Sequence, residues 1–266
     1  MRITTWNVNS VRQRLPHLLD FLREEQPDVL CLQEIKCQED AFPYADIESV
    51  GYQAKVLGQK TFNGVALLSK TPLEDIRLNL PDDDDPQARY IEGVLLHKGR
   101  AVRVASIYLP NGNPINTEKL PYKMAWCEKL YAHMQTLLAH EEPLILCGDY
   151  NMIPTAQDAR TPEAWKRDAL FLPQTRAHFQ SFLNLGLIDA VRACSSESGL
   201  YTFWDYQSGA WQKDDGVRID HLLLSPQAAD LLRDYTIHKS YREREKPSDH
   251  VPVSADFIFS APHKQF

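Results

Sequence analysis

Eight short apolar runs recur along the chain, at residues 1–6, 28–32, 64–68, 90–96, 101–109, 144–147, 217–224 and 251–259, and several are continuous rather than alternating. A strand that is apolar on both sides must be covered on both sides, so these segments are expected inside layered sheets with other elements packed over them. Helical periodicity fills the gaps. Val11, Leu15, Leu18, Leu19 and Leu22 form one stripe, with Ser10 and Gln13 spaced as a capping box. Leu120, Met124, Cys127, Tyr131, Met134 and Leu138 form a longer one, and a third helix is expected to start at Pro173, stop at Gly186 and bury Phe179, Phe182 and Leu183.

Composition agrees with a chain that builds its own core. Of 266 residues 43% are hydrophobic and 24% charged, which excludes a disordered, collagenous or coiled-coil chain. No Gly/Ser-rich linker divides the sequence, so residues 1–266 are expected to form a single α/β domain. No apolar run approaches the roughly 20 residues of a membrane span, and the strand-like start leaves no room for a signal-peptide core. Five cysteines without metal-site spacing suit a reducing, cytoplasmic setting. The Asp82 to Asp85 run between Pro81 and Pro86 is expected to be a solvated turn. The formal net charge of -7 argues weakly against a nucleic-acid partner. A site that grips phosphate through a divalent cation must gather carboxylates, however, and the cation reverses the local field.

Polar residues fall where the apolar runs meet loops. Asn7 and Asn9 follow the first run, Gln33 and Glu34 the second, Tyr108 closes the fifth, Asp149 and Asn151 follow the sixth, and Asp249 and His250 precede the last. In layered α/β folds such ends converge on one rim, where chemistry is usually done. Glu34 is either a strand-end surface residue or, with a second acid, a ligand for a hard cation. Asp149 and Asn151 belong either to an ordinary turn, with Gly148 allowing a sharp bend, or to a water-activating pair. Asp220 lies within an apolar run and needs a partner: Arg218 on the same strand face, or His250 from the segment Lys246-Pro247-Ser248-Asp249-His250. An Asp–His pair favours the charged imidazole, a donor to phosphate oxygens. Tyr108 is either a packed aromatic or a hydroxyl donor to a phosphate or water. Trp6-Asn7-Val8-Asn9 and Gly148-Asp149-Tyr150-Asn151 echo one another, as two halves of related topology would.

The order Asn7, Glu34, Tyr108, Asp149, Asn151, Asp220, Asp249, His250 resembles that of the exonuclease III family of apurinic/apyrimidinic endonucleases, within the endonuclease/exonuclease/phosphatase superfamily. Leu32-Gln33-Glu34-Ile35-Lys36, Gly58-Gln59-Lys60, Gly64-Val65-Ala66-Leu67-Leu68 and Lys246-Pro247-Ser248-Asp249-His250 carry the likeness from end to end. The resemblance implies a four-layer α/β/β/α sandwich of two mixed sheets with helices outside. It also implies Mg²⁺- or Mn²⁺-dependent cleavage of DNA phosphodiesters. Glu34, Asp249 and Asn7 would hold the metal, Asp149 would activate water, and Asn151 and Tyr108 would fix nucleophile and phosphate. His250, held by Asp220, would neutralise phosphoryl charge. Electrostatic neutralisation and an in-line water are what such a reaction needs.

Phe203, Trp204, Trp211 and Leu222 resemble the family's apolar pocket for an extruded, base-free sugar. Trp165-Lys166-Arg167-Asp168-Ala169 falls in the stretch that borders the lesion. Asn9, Lys36, Lys60, Arg89, Lys213 and Arg218 are expected contacts to DNA. The expected substrate is double-stranded DNA with abasic sites or blocked 3′ ends, attacked by a monomer with no membrane partner. Two rivals remain: a phosphatase or phosphodiesterase of the same fold acting on a non-DNA substrate, and a silent DNA-binding module. The second would have lost one of the acids or the histidine, and all are present.

Overall fold

The eight apolar runs become the eight inner strands of two six-stranded sheets, and the sheet edges are made by segments with no such run. A computed structural model describes residues 1–81 and 84–259. One sheet runs in the order β11 (Leu232–Ile237), β12 (Val253–Phe257), β1 (Arg2–Asn7), β2 (Val29–Gln33), β4 (Val65–Ser69), β3 (Gln53–Leu57). The other runs β5 (Glu74–Leu78), β6 (Tyr90–His97), β7 (Arg100–Tyr108), β8 (Leu144–Asp149), β10 (Asp220–Leu224), β9 (Ile188–Asp189). Asp82 and Asp83, half of the acidic run, lie outside the described residues, whereas Asp85 accepts from the Gln87 amide.

Strand for strand, the two sheets repeat one pattern. β1 pairs parallel with β2 and antiparallel with β12; β8 pairs parallel with β7 and antiparallel with β10. The Asn7 and Asp149 motifs therefore occupy equivalent places, which accounts for their echo. Alternate side chains divide between layers. Ile3, Val29, Cys31, Val65 and Leu67 meet Val102, Val104, Ile145, Cys147, Leu222 and Leu224 between the sheets. Trp6, Leu30, Leu32 and Leu68 face outward under α1 (Leu15–Glu24), a layer that also takes in Ile47 of the short α2 (Tyr44–Ser49). Ala105, Ile107, Leu144 and Leu146 face outward under α3 (Lys119–Leu138) and α4 (Pro173–Asn184). The result is the α/β/β/α sandwich. Among the described residues no helix is long and apolar enough to cross a membrane.

Three local expectations change. Helix α1 starts at Leu15 with Arg14 as N-cap and no side-chain cap, so Ser10 and Gln13 do not form a capping box. The buried face of α3 is centred on Trp126, Leu130 and Leu137, with Cys127 and Met134 shared; Tyr131 and Leu138 only flank it. Gly148 lies within β8 rather than at a bend. A Cβ there would stand 1.9 Å from the Ile107 carbonyl oxygen, so the close approach of β7 is what requires glycine.

Beneath β10 lies a buried ionic cluster. Arg218 donates to Asp158 and Asp189, each at 2.7 Å, and to Nδ1 of His221 at 3.0 Å. Nε2 of His221 then donates to the Met152 carbonyl. Burial, followed by the Arg218 charge, lowers the His221 pKa to about 4. An unfolded chain protonates this imidazole below about 6.5, but the folded chain resists until about 4. The native state is thus fully favoured above 6.5 and loses stability as pH falls through that window, by about 3 kcal/mol in all. Urea unfolding at pH 7 and pH 4.5 should show this loss, with a shallower slope in His221→Gln. An unchanged slope in the variant would assign the acid sensitivity elsewhere.

Candidate active site

All four parallel strands, β1, β2, β7 and β8, end on the same rim, and their last residues are joined across the gap between the sheets. Asn7 Nδ2, from the first sheet, donates to Glu34 Oε1 and to Asp149 Oδ2, both at 2.9 Å. Tyr108 on the second sheet donates back to Glu34 Oε1 at 2.8 Å. The chain leaves these strands in the left-handed region, with φ of 44° at Asn9, 50° at Glu34, 53° at Lys36 and 49° at Asn151. Non-glycine residues reach that region at a cost of roughly 1–2 kcal/mol each. Left-handed residues occur elsewhere in the chain too, but these four are the ones whose side chains are bonded into the rim.

Asp149 is fixed at both oxygens. Oδ1 accepts from the Asn151 amide at 2.9 Å, Oδ2 accepts from Asn7, and Oδ2 also stands 3.7 Å from His250 Nε2. Burial raises the Asp149 pKa to about 7, close to the pH at which a general base works best. His250 Nδ1 donates to Asp220 at 2.9 Å, and Thr202 donates to the same carboxylate at 2.6 Å. Burial alone would lower the imidazole pKa, but Asp220 and then Asp149 raise it to about 10, so His250 is an imidazolium at neutral pH. Of the two partners open to Asp220, His250 is the one used; Arg218 is spent on Asp158 and Asp189.

Glu34 is nearly enclosed. Burial pushes its carboxyl up, yet the Lys36 ammonium at 2.7 Å and the Asn7 amide hold it below the usual range. Lys36 also donates to Asn9 Oδ1 at 2.5 Å, and Asn9 Nδ2 donates to Asp249 Oδ1 at 3.1 Å. Tyr108 is pushed well above an ordinary phenol by burial and the neighbouring carboxylates, so it remains a donor. Arg89 lies over its ring at 5.0 Å, held by Gln87 and bonded to the Tyr108 carbonyl.

The carboxylates of Glu34 and Asp249 with the Asn7 amide oxygen form an all-oxygen donor set of the type that suits Mg²⁺ or Mn²⁺. A cation, the Lys36 ammonium, already rests against two of the local oxygens. Asp149, Asp220 and His250 also lie close enough to share an ion. There, however, Nδ1 is bonded to Asp220 and the imidazolium itself supplies the positive charge. The Glu34 side fits a metal better.

Glu34, Tyr108, Asp149, Asn151, Asp249 and His250 line one side of a pocket of about 330 Å³ that also contains Asn111, Asn113 and Asp168. Asn7, Asn9, Lys36 and Asp220 stand behind or beside it. Its apolar wall is Phe203, Trp165, Leu170 and Ile219. Five expected pocket or DNA residues lie elsewhere. Leu222 points into the core between the sheets, one strand step out of phase with the pocket. Trp204 is buried, with Trp211 packed edge-on against it under Arg242, so neither reaches the pocket. Arg218 is sealed under β10 and cannot touch DNA. Lys213 turns back to the Ser208 carbonyl, whereas Lys60, Lys36 and Arg12 share a separate surface groove beside the rim. Of the 165–169 segment, Trp165 and Asp168 face the pocket, while Lys166 pairs with Glu163. Asn111, Leu170 and Ile219 join the pocket without any mark in their sequence context. Lys123 does carry a signal, a charged residue four positions before Cys127 on the buried helix face.

A sandwich with two parallel strand pairs opening onto one acidic pocket defines the class, and a family model described as the Endonuclease/Exonuclease/phosphatase family matches residues 4–250. The chain belongs to that family. More particularly, it is 36% identical to exodeoxyribonuclease III of Haemophilus influenzae, over 97% of this chain and all of that one. Among solved structures it is similar to a 3′ phosphatase, NExo, from Neisseria bound to a product DNA hairpin, with a TM-score of 0.94, 38% identity and 97% of this chain covered against 100% of that one. An AP endonuclease from Archaeoglobus fulgidus is also similar, with a TM-score of 0.92, 35% identity and the same coverage.

Asp149→Asn deletes a buried carboxylate with little change in volume, and His250→Asn deletes the buried imidazolium. Each should lower kcat on a phosphoester substrate by about 10²- to 10⁴-fold with an unchanged circular dichroism spectrum. A folded variant with near wild-type turnover would remove that residue from the machinery.

Proposed function

We propose that the protein is a metal-dependent DNA repair nuclease. In this reading a single-domain monomer in the cytoplasm hydrolyses the phosphodiester 5′ to abasic sites and removes 3′-phosphates and other 3′-blocking groups. The same site trims 3′ ends exonucleolytically. One observation carries the proposal: a proton acceptor, Asp149, and a fixed cation, His250, face each other across 3.7 Å beside a second acidic cluster at Glu34. The relatives named above, among them one solved with DNA, support DNA as the substrate.

Asp149, anchored by Asn7 and Asn151, accepts a proton as water attacks phosphorus, the bond from phosphorus to the 3′ oxygen breaks, and that oxygen leaves as a 3′-hydroxyl with a proton from solvent. The imidazolium of His250 donates to a phosphoryl oxygen, and Asp220 on its far nitrogen keeps it charged. Tyr108 and Asn151 fix the near edge, and the Phe203, Leu170, Ile219 and Trp165 wall takes the apolar face of a deoxyribose. Glu34, Asp249 and Asn7 would hold Mg²⁺, with Mn²⁺ able to substitute. That ion supplies neutralisation of charge developing on the phosphate.

Purified protein should be incubated with duplexes carrying an abasic site, a 3′-phosphate or a plain recessed 3′ end, and with a phosphoinositide. Turnover is expected on the DNA substrates, lost with a chelator and restored by Mg²⁺ or Mn²⁺. Hydrolysis of the phosphoinositide with every duplex untouched would overturn the reading in favour of a same-fold phosphatase.

A further inference from the structure

Lys123 has no exposed surface, yet it carries an ammonium group. Its Nζ donates to three main-chain carbonyls: Asn111 at 3.1 Å, Asn151 at 2.6 Å and Ala169 at 3.2 Å. All three bonds go to carbonyl dipoles rather than to a carboxylate. Those carbonyls belong to three separate loops, after β7, after β8 and before α4, and each loop contributes to the pocket: Asn111 and Asn113, Asn151, and Asp168 and Leu170.

We propose that Lys123 is a positioning residue for the hydrolytic reaction, clamping the three pocket loops together through its three N–H donors. The inference rests on the hydrolase reading given above. The loops are also tied to one another around it. Asn111 donates to the Asn151 side chain, Asn113 donates to Asp168, and the Ala169 amide donates to Asn113. The middle strap matters most for chemistry, because the Asn151 amide holds Oδ1 of Asp149. The fit is close: a Cβ on Gly112 would come within 2.7 Å of Lys123 Cδ and 3.0 Å of Ala169 Cβ. A buried charge is costly to keep unless its donors are all used, and here three donors meet three acceptors.

Loss of a proton would break that match, since a neutral amine has two N–H groups and a lone pair that repels the third carbonyl. Burial lowers the Lys123 pKa to about 8, and the neighbouring charged or titratable groups Cys127, Asp149 and Asp168 act in the opposite direction. The clamp is therefore intact below about pH 8 and released above it.

The decisive comparison is Lys123→Met, which keeps the stem and deletes the donors, against wild type on a 3′-phosphate duplex with Mg²⁺ from pH 7 to 9.5. At pH 7.5 kcat should fall about 10- to 100-fold, as expected for a catalytic group displaced by about an ångström, while KM changes by less than about threefold. Wild-type kcat should decline on the alkaline side with the same midpoint as the Lys123 side chain, read by NMR of ¹³C-labelled lysine. The variant should lack that decline. A folded variant within about twofold of wild type in kcat, or a loss confined to KM, would overturn the proposal. If the variant does not fold, the wild-type profile decides alone: midpoints that disagree reject the clamp. Wild-type protein inactive on every duplex would instead reject the hydrolase reading.

Discussion

The structure turns on a set of hydrogen bonds that cross between the two sheets at one end of the sandwich. Asn7 reaches from β1 to Asp149 at the end of β8, and Tyr108 reaches from the end of β7 to Glu34 beyond β2. Two parallel strand pairs, one in each sheet, have to finish at the same height for these bonds to form. The inter-sheet core of β-branched and leucine side chains sets that height, and its close packing leaves little freedom to slide. Each half thus holds the other half's acid in place. Gln33 and Ser106 add a buried polar link just behind, at 2.9 Å.

From this frame the electrostatics follow. Asp149 and Asp220 are both buried, and their charges are tolerable because the His250 imidazolium lies between them. Glu34 gains the same kind of relief from Lys36. The site is therefore two acidic centres, each with its own resident cation. The first cation is locked by burial, and the second is a half-buried side chain that reaches Glu34 from the neighbouring groove. With a divalent cation bound, a carboxylate cluster of this kind would give the acidic chain a way to meet a polyanion that its overall charge does not favour.

Much of this was legible in the sequence, for a physical reason. The eight strands found as apolar runs are the eight inner strands, which must be apolar on both faces. The four that were missed, β3, β5, β9 and β11, are the four sheet edges, where one side meets water and the apolar signal fades. Polar residues ending inner strands stood out against their surroundings, so Glu34, Asp149 and Asp220 were visible. The pocket's apolar wall was not, because phase within a strand decides which side chain faces the cavity. Ile219 faces it, whereas Leu222 faces the core. Arg218 misled for a related reason: its partners Asp158 and Asp189 are 60 and 29 residues away in sequence.

The left-handed backbone at Asn9, Glu34, Lys36 and Asn151 has an implication for engineering heat resistance into this chain. Glycine would relax every one of those peptides, and each such exchange would erase a side chain bound into the reaction centre. Selection for durability at these four positions would accordingly strip the working rim. Thermal hardening is better sought at exposed left-handed positions away from the rim, such as Gln26 and Glu141, where no such conflict arises.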